Sequence, residues 1–323
     1  MNLYSILENF AHPATLFFFL GMIAILVKSD LEIPPQIAKF LSIYLLFDIG
    51  IKGGEELFHS GFNGQVLTVM IVCILASFLI PFGMYYILKR KLNVYDAGAV
   101  AATYGSISAV TFATASAFLE SHSEPFGGYM VAGMALMESP AIIAGLLIIR
   151  INRKDKSERA NSNFGHILRE SFFNGSVLLL VGSLVIGYIS GQKGEEELEP
   201  FVSEIFFGML SLYMLDMGLL AARRLKELRK AGGFVISFAL LFPPITALLG
   251  IGISYLLGYS PGDALLQTIL LASASYIAVP AAMRIAVPQA NMSILLPMSL
   301  GITFTFNISV GIPLHYFIIQ SIW

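Results

Sequence analysis

Small hydroxylated side chains in two apolar stretches have the types and spacing best suited to chemistry. Ser106 and Ser108 form one Ser-x-Ser motif, and Ser273 and Ser275 form a second, which Pro280 follows. Proline inside a helix leaves a backbone carbonyl without its donor, and in a membrane such a break requires protein or water to satisfy the freed groups. Hydroxyls and half-helix amides suit a small anion, whereas unwound carbonyls suit sodium. The motifs are therefore candidate parts of a binding site, provided that the chain is a membrane protein.

The composition indicates a membrane protein. The chain has 323 residues, of which 56% are hydrophobic and 12% are charged, and its mean hydropathy is +0.78. Soluble domains carry about 25% charged residues. The sequence has no basic arm, zinc-ligand spacing, Walker loop or dinucleotide fingerprint, and its five histidines are scattered. We therefore expect membrane lipid rather than nucleic acid as a partner, no enzymatic activity, no cofactor, and an ion gradient or passive movement as the driving force.

Ten apolar runs are long enough to cross a bilayer, which needs roughly 20 residues each, so we predict an all-α integral membrane protein. Lysine and arginine cluster at residues 89–91, 150–169 and 223–230, which fall on one face of a ten-span chain. Basic loops face the cytoplasm, so this pattern places both termini outside the inner (plasma) membrane. The predicted spans are 13–28, 34–52, 65–88, 95–119, 127–150, 170–190, 201–222, 233–258, 263–286 and 294–320.

The polar segment 151–169 separates two halves of five spans each, 1–150 and 170–323. Five is an odd number, so similar halves must lie in the membrane with opposite orientations. The sequence supports such an inverted repeat, with one residue of slippage between its two matches. LLFDIGIKGGEEL at 45–57 resembles YMLDMGLLAARRL at 213–225, and DAGAVAATYGSIS at 96–108 resembles DALLQTILLASAS at 263–275.

The repeat puts the two Ser-x-Ser motifs at equivalent positions in the fourth and ninth spans. Inverted five-span repeats are typical of transporters, whose sites lie between interrupted helices near the bilayer midplane. A single serine has a simpler interpretation, because small residues permit close helix packing and serine often bonds to its own helix. Two motifs at equivalent positions favour a binding site. We predict substrate contacts from Gly105, Ser106, Ser108, Thr111, Ser273, Ser275 and Tyr276.

Glu138 lies near the middle of the fifth span, and Asn307 is its approximate equivalent in the tenth. Ionisable residues at this depth are candidates for function. A buried carboxylate could ligate a cation, carry a proton or form a structural hydrogen bond, and the sequence leaves these alternatives open. The residues that we consider for a sodium site or its support are Ser108, Ser275, Glu138 and Asn307.

Four aspartates have structural explanations. Asp48 and Asp216 lie one or two turns from a membrane edge, near Lys52 and Arg223, so a structural salt bridge or an interfacial position, rather than ligation, is predicted for them. Asp96 and Asp263 begin their spans, where a carboxylate caps the helix and complements its dipole. We expect capping, rather than ligand binding, from this second pair.

Several segments together resemble one known family, the sodium-dependent bicarbonate transporters of cyanobacteria. The resemblance covers essentially the whole chain except the loop 151–169, and it places the crossed, interrupted helices of that family on spans 4 and 9. The segments that carry it are 271–291, GITFTFNISVGIPLH at 301–315, GSISAVTFATA at 105–115, MESPA at 137–141 and ELRK at 227–230.

The resemblance implies a mechanism and partners as well as a fold. Family members look like ten-span inverted-repeat proteins in which a core domain moves against a scaffold, and they assemble as trimers. They import bicarbonate with sodium, and a PII-like signalling protein blocks them from the cytoplasmic side. By resemblance, we expect bicarbonate as the substrate, sodium as the coupling ion, a homo-trimer and a PII-like regulator.

The ninth span departs from the family pattern at three positions. Tyr276 stands where the family has an acidic residue, and Ala278 and Val279 replace a serine and a glycine. Loss of a carboxylate removes charge compensation for sodium, and valine leaves less room for close backbone approach. Three hypotheses follow: sodium-coupled bicarbonate import, transport of a less polar organic anion on the same scaffold, and a non-transporting membrane sensor on a transporter fold.

Overall fold

Apolar runs bounded by proline, glycine and asparagine determine where the helices begin and end. The computed structural model describes residues 13–153, 175–228 and 232–323, and every regular element within these ranges is helical. The helices are α1 (Pro13–Leu26), α2 (Pro35–Ser60), α3 (Gly64–Leu88), α4 (Val94–Gly105), α5 (Ala109–Ser121), α6 (Tyr129–Asn152), α7 (Gly175–Glu199, continued by a π turn at Pro200–Glu204), α8 (Phe206–Leu228), α9 (Gly233–Leu257), α10 (Pro261–Ala272), α11 (Ala278–Ala286) and α12 (Met292–Ile322, with two π-helical stretches).

Local chemistry explains the helix ends. The side chain of Asn63 caps α3 by accepting hydrogen bonds from the amides of Gln65 and Val66, which would otherwise lack partners. Pro35 is the first residue of α2, where its missing amide proton costs no helical hydrogen bond. Gly258 ends α9 in the left-handed conformation, with φ 68°, which glycine adopts without strain. These caps fix short connections between long helices.

Six of the described helices are long and apolar enough to cross a membrane, which makes this a multi-pass membrane protein. The other predicted spans differ from them for physical reasons. The described part of α1 is apolar and 14 residues long, and α2 carries ionisable residues in its second half. Spans 4 and 9 are each divided into two half-length helices. The six long apolar helices are Gly64–Leu88, Tyr129–Asn152, Gly175–Glu204, Phe206–Leu225, Gly233–Leu257 and Met292–Ile322.

The predictions for the connecting loop lie mostly outside the described part of the chain. α6 ends at Asn152, within the predicted segment 151–169. The described part of α7 starts at Gly175, and residues 170–174 of the predicted sixth span lie outside the described residues. The proposed boundary between the two halves of the chain, and any contact of this loop with a regulator, therefore stay predictions.

Glycines allow the longest helix pairs to approach closely. The most extensive contacts join α2 to α7 and α1 to α8. A Cβ atom at Gly54 of α2 would overlap the backbone of α7 at Leu184, and a Cβ atom at Gly218 of α8 would overlap the backbone of α1 at Phe18. Small residues at such contacts are the usual means by which membrane helices pack.

Two clusters of buried apolar side chains form the core, and the divided spans connect them. α5 and α10 contribute to one cluster, with residues of α1, α2 and α8, while α4 and α11 contribute to the other, with residues of α9. We call α4–α5 the first broken helix and α10–α11 the second broken helix. They pass between the clusters in opposite directions along the chain, so their breaks lie where the two clusters meet.

Candidate functional site

The first broken helix is interrupted at Ser106, Ile107 and Ser108. Ser108 has extended backbone angles, φ −113° and ψ 108°, and its hydroxyl oxygen accepts a hydrogen bond from the amide of Thr111 at 3.2 Å. The Thr111 hydroxyl also donates to the Ser108 oxygen at 2.8 Å. Ser108 is thus the N-cap of α5, and Thr111 supports that cap from within the first turn.

The second broken helix is interrupted from Ser273 to Ile277, upstream of the proline that suggested a break. Pro280 is the third residue of α11. The prediction that Pro280 itself breaks the helix is therefore wrong. The first four amides of a helix have no intrahelical acceptor, so a proline within the first turn sacrifices nothing. The Ser275 hydroxyl oxygen accepts a hydrogen bond from the Val279 amide at 3.2 Å, close to where the missing proline donor would lie.

Two hydrogen bonds join the breaks directly. The amide of Ser108 donates to the hydroxyl oxygen of Ser273 at 3.1 Å, and the amide of Ser275 donates to the carbonyl of Thr103 at 2.9 Å. The Ser273 hydroxyl in turn donates to the Leu270 carbonyl of its own helix at 3.3 Å. Backbone groups released by each interruption are therefore satisfied by the other one, which is how irregular backbone is tolerated in an apolar environment.

A small cavity of about 30 Å³ lies at the crossing, room for about two water molecules. Four predicted site residues line it, namely Ser108, Ser275, Tyr276 and Glu138. Apolar side chains of α2 and of the two breaks form most of the remaining wall. The predicted residues outside the wall are Gly105, Ser106, Thr111, Ser273 and Asn307, and the wall residues that the sequence prediction missed are Ser42, Leu45, Leu46, Ile49, Ile107, Ala109, Val110, Ser176, Ile277 and Ala278.

The predicted residues outside the wall are close to the crossing but have other neighbours. Gly105 ends α4, and a Cβ atom there would overlap the ring of Pro81 in α3, so this position requires glycine for packing. Ser106 is buried, and its hydroxyl has no hydrogen-bond partner among the described residues. Thr111 and Ser273 act through the hydrogen bonds already described. These residues therefore lie in or beside the crossing but do not line its cavity.

Tyr276 stands at the position where the family has an acidic residue, and it makes this part of the site bulkier and less polar than the family pattern. Its side chain is 8% exposed, and its ring packs edge-on against Phe304 at a centroid distance of 5.4 Å. The Tyr276 hydroxyl lies beside those of Ser108 and Tyr213, but no described group is in hydrogen-bonding geometry with it. A phenol held this way can still donate one hydrogen bond to a ligand.

Glu138 and Asn307 occupy different environments. Glu138 is buried in α6 and faces the cavity at the crossing. Asn307 is fully buried in α12, and its amide nitrogen donates to the carbonyl of Ala272 at 2.9 Å. Ala272 is the last residue of α10, where the break has removed the usual helical donors. Asn307 therefore completes the hydrogen bonding of the second broken helix, and Glu138 is the carboxylate that reaches the cavity.

The aspartates at the starts of the divided spans do not act as simple caps. Asn93 and Ser260 are the N-cap residues, and they accept hydrogen bonds from the amides of Asp96 and Asp263. The carboxylate of Asp263 accepts from the backbone amide of Gly127 at 2.7 Å. The equivalent carboxylate of Asp96 accepts from a backbone amide in the loop before α12, also at 2.7 Å. Each aspartate thus ties its helix to a distant loop.

The salt-bridge prediction for the other two aspartates has a mixed outcome. Lys52 Nζ lies 4.0 Å from a carboxylate oxygen of Asp48, one turn away on α2, and 3.8 Å from one of Glu120 on α5. Asp216 is buried in α8, and the predicted salt bridge to Arg223 is not among the ion pairs of the described residues. The negative charge that Asp48 carries when ionised is therefore partly compensated by Lys52, which also interacts with the carboxylate of Glu120.

Comparison with known proteins agrees with the resemblance seen in the sequence. The sequence model of the Na+-dependent bicarbonate transporter superfamily matches residues 13–320, nearly the whole chain. A comparison with curated proteins finds no match.

Proposed function

The chain belongs to the Na+-dependent bicarbonate transporter superfamily, and on that premise we propose that this membrane transporter imports bicarbonate together with sodium by alternating access. The observation that carries the proposal is the hydrogen-bonded crossing of two broken helices around a small cavity. The N-termini of α5 and α11 and the C-termini of α4 and α10 all end at this crossing. Helix N-termini favour an anion and C-terminal carbonyls favour a cation, so one site can serve both.

Helix packing supports an inverted repeat of five spans. Gly50 and Gly218 are equivalent positions in the sequence match. Gly50 packs α2 against α7, the first helix of the second half, and Gly218 packs α8 against α1, the first helix of the first half. A two-fold relation between the halves would exchange these two contacts. The same relation would exchange the loop contacts of Asp96 and Asp263.

We extend this proposal to topology and assembly. Residues 1–150 and 170–323 form the two repeats, each with five spans, of which the fourth is a broken helix. The protein lies in the inner (plasma) membrane, with the segment 151–169 on the cytoplasmic side and both termini on the outer side. A homo-trimer and control by a PII-like protein are proposed by analogy with the family.

Uptake of radiolabelled bicarbonate into proteoliposomes, with and without an inward sodium gradient, tests the proposal. We expect accumulation inside the vesicles only when sodium is higher outside. Accumulation that is equal in both conditions would contradict sodium coupling. Absence of bicarbonate flux above that of empty liposomes would contradict bicarbonate as the substrate and leave the organic-anion and sensor hypotheses.

The lining of the cavity favours a second candidate, transport of a less polar organic anion. Tyr276 and Ala278 stand in its wall among leucine, isoleucine and valine side chains, and Val279 is fully buried behind them. A thermal-shift screen of monocarboxylates tests this candidate. Stabilisation by a monocarboxylate but not by bicarbonate would support it, and stabilisation by bicarbonate alone would exclude it. The small volume of the cavity favours bicarbonate.

A further inference from the structure

A second cavity of about 580 Å³ lies between α2, α5, α7 and the start of α8. Seven carboxyl groups line it, compared with one lysine, Lys52, and one histidine, His59. We call it the acidic cavity. Ile49 lines both this cavity and the one at the crossing, so the acidic cavity lies directly beside the proposed binding site.

One face of α5 leads from the crossing along the acidic cavity to the protein surface. Ser108 caps this helix at the crossing, and the residues at successive intervals of four, Phe112, Ser116 and Glu120, line the acidic cavity. Residues four apart lie on one face of a helix. Phe112 is 1% exposed, Ser116 is 8% exposed and Glu120 is exposed. The acidic cavity is therefore closed towards the crossing and open at the C-terminal end of α5.

α2 shows the same gradient on the other side of the acidic cavity. Asp48, Lys52 and Glu56 are also four residues apart and line the cavity, and they are buried, half-buried and exposed, respectively. In the proposed topology, the C-terminal ends of α2 and α5 both lie on the outer side of the membrane. The acidic cavity then opens to the outside, with Ile49 and Phe112 at its closed end.

The lysine balances only part of the negative charge in this wall. Lys52 Nζ lies 4.0 Å from a carboxylate oxygen of Asp48 and 3.8 Å from one of Glu120, so one ammonium faces two carboxylates. Glu56 and Glu199 are exposed and form no ion pair within the described part of the chain. A cleft lined by one sign of charge repels ions of that sign. An anion in the acidic cavity therefore meets a repulsive field.

The hydroxyl of Ser116 indicates that a polar species enters this space. The side chain is more than nine-tenths buried, and its hydroxyl has no hydrogen-bond partner among the described residues. A buried hydroxyl in this state is costly unless water or a ligand satisfies it. Ser116 lies about two helical turns from Ser108, so the polar contents of the acidic cavity reach close to the crossing.

We propose that the acidic cavity is the external entry path to the crossing, and that its carboxylates hold back divalent anions more strongly than monovalent ones. The proposal rests on the proposed function, import of bicarbonate through the crossing, and adds selection by charge before the anion is bound. Each kT of repulsion lowers the local concentration of a monovalent anion about threefold and that of a divalent anion about sevenfold, and potentials of several kT are usual at protein surfaces. Carbonate, sulfate and phosphate dianions are therefore kept from a site that bicarbonate can reach.

A cysteine at position 116 measures this field without transport. Cys73 is the one cysteine in the sequence and is fully buried, so the wild-type protein is an unreactive background. Ser116→Cys keeps nearly the same volume. Right-side-out membrane vesicles are treated with trimethylammonioethyl methanethiosulfonate, sulfonatoethyl methanethiosulfonate or dithiobis(nitrobenzoate), which carry one positive, one negative and two negative charges. Each rate is divided by that of Phe62→Cys, at a position that is 65% exposed and outside the acidic cavity.

We expect this relative rate to fall about threefold or more for each unit of negative charge on the reagent, which corresponds to at least about 1 kT. The series should flatten when Glu56→Gln and Glu199→Gln are added, whereas an effect of reagent size would remain. Glu197→Gln is the matched control, because this exposed carboxylate of α7 lies outside the acidic cavity; it should leave the series unchanged.

Labelled vesicles also test the path. Full labelling of Ser116→Cys from the outer side should stop bicarbonate uptake relative to unlabelled vesicles of the same variant. Relative rates that do not depend on reagent charge would overturn the selection by charge. Failure of Ser116→Cys to react from the outer side, or undiminished uptake after full labelling, would overturn the entry path. Charge-dependent labelling in a protein whose wild type takes up no bicarbonate would support the path and contradict the proposed function instead.

Discussion

At the scale of single residues, the crossing depends on side chains that replace the hydrogen bonds lost at the breaks. Ser108 caps α5, Ser275 accepts from the Val279 amide, and Asn307 donates to the last carbonyl of α10. The sequence motifs identified all three positions. All three are polar residues within apolar spans, which the sequence shows directly. The hydrogen-bond partner of Asn307 lies 35 positions away in the chain, and it depends on how α12 packs against α10.

Replacement of Asn307 by leucine should destabilise the fold because it leaves the buried Ala272 carbonyl without a donor. The expected loss is about 1–3 kcal/mol, the usual cost of an unsatisfied buried polar group. Thermal unfolding in detergent measures it. Ser309→Ala is the matched control on α12, because the Ser309 hydroxyl bonds to the Thr305 carbonyl of its own helix. Equal midpoints for Asn307→Leu and wild type would refute this role.

At the scale of helices, close backbone approach holds the long pairs together. Gly54 and Gly218 lie at contacts where a methyl group would overlap the neighbouring backbone, whereas a methyl group at Gly83 in α3 would have no packed neighbour within 4 Å. Glycine in a helix is otherwise unfavourable by roughly 1 kcal/mol relative to alanine. Replacement by alanine is therefore expected to have one effect at Gly54 and Gly218 and the opposite effect at Gly83.

Gly54→Ala and Gly218→Ala should each lower stability by about 1–3 kcal/mol, as expected for overpacking. Gly83→Ala should leave stability unchanged or raise it slightly. Thermal unfolding of the three variants under one set of detergent conditions makes the comparison. A loss at Gly83 as large as at Gly54 would show that helix flexibility, rather than close packing, explains the glycines.

The sequence predicted most elements and the region of both breaks, but it assigned the second break to the wrong residue. Pro280 was the visible signal, yet a proline is compatible with the first turn of α11, so the interruption lies at Ser273–Ile277 instead. The ionisable residues of α2 were also not predicted to share a cavity. Asp48 and Glu55 line it together with Glu120 only because α2, α5 and α7 pack around a common space, and no local sequence pattern contains that information.

At the scale of the whole molecule, two cavities of different character share one wall. The crossing cavity is small and mostly apolar with a few hydroxyls, and a second cavity, of about 580 Å³ between α2, α5 and α7, is lined by seven carboxyl groups. The wall between them includes Ile49, which is 5% exposed. In the proposed mechanism, movement of the helices that carry the crossing relative to α2 and α7 would open this wall.

The central claim is that the crossing of the two broken helices is the binding site. Ser108→Val and Ser275→Val add bulk and remove a hydroxyl in the wall of its cavity. The extended backbone of Ser108 is compatible with valine, and loss of its cap should cost only about 1 kcal/mol. Both proteins should therefore fold and assemble.

Sodium-driven bicarbonate uptake by these two variants in proteoliposomes is the most direct test. Ser309→Val, a substitution on α12 that lines neither cavity, is the control for added bulk and a lost hydroxyl. We expect uptake near that of empty liposomes for Ser108→Val and Ser275→Val, with expression and assembly near normal, and wild-type uptake for Ser309→Val. Wild-type uptake by both crossing variants would contradict the account, because the substrate would then bind elsewhere.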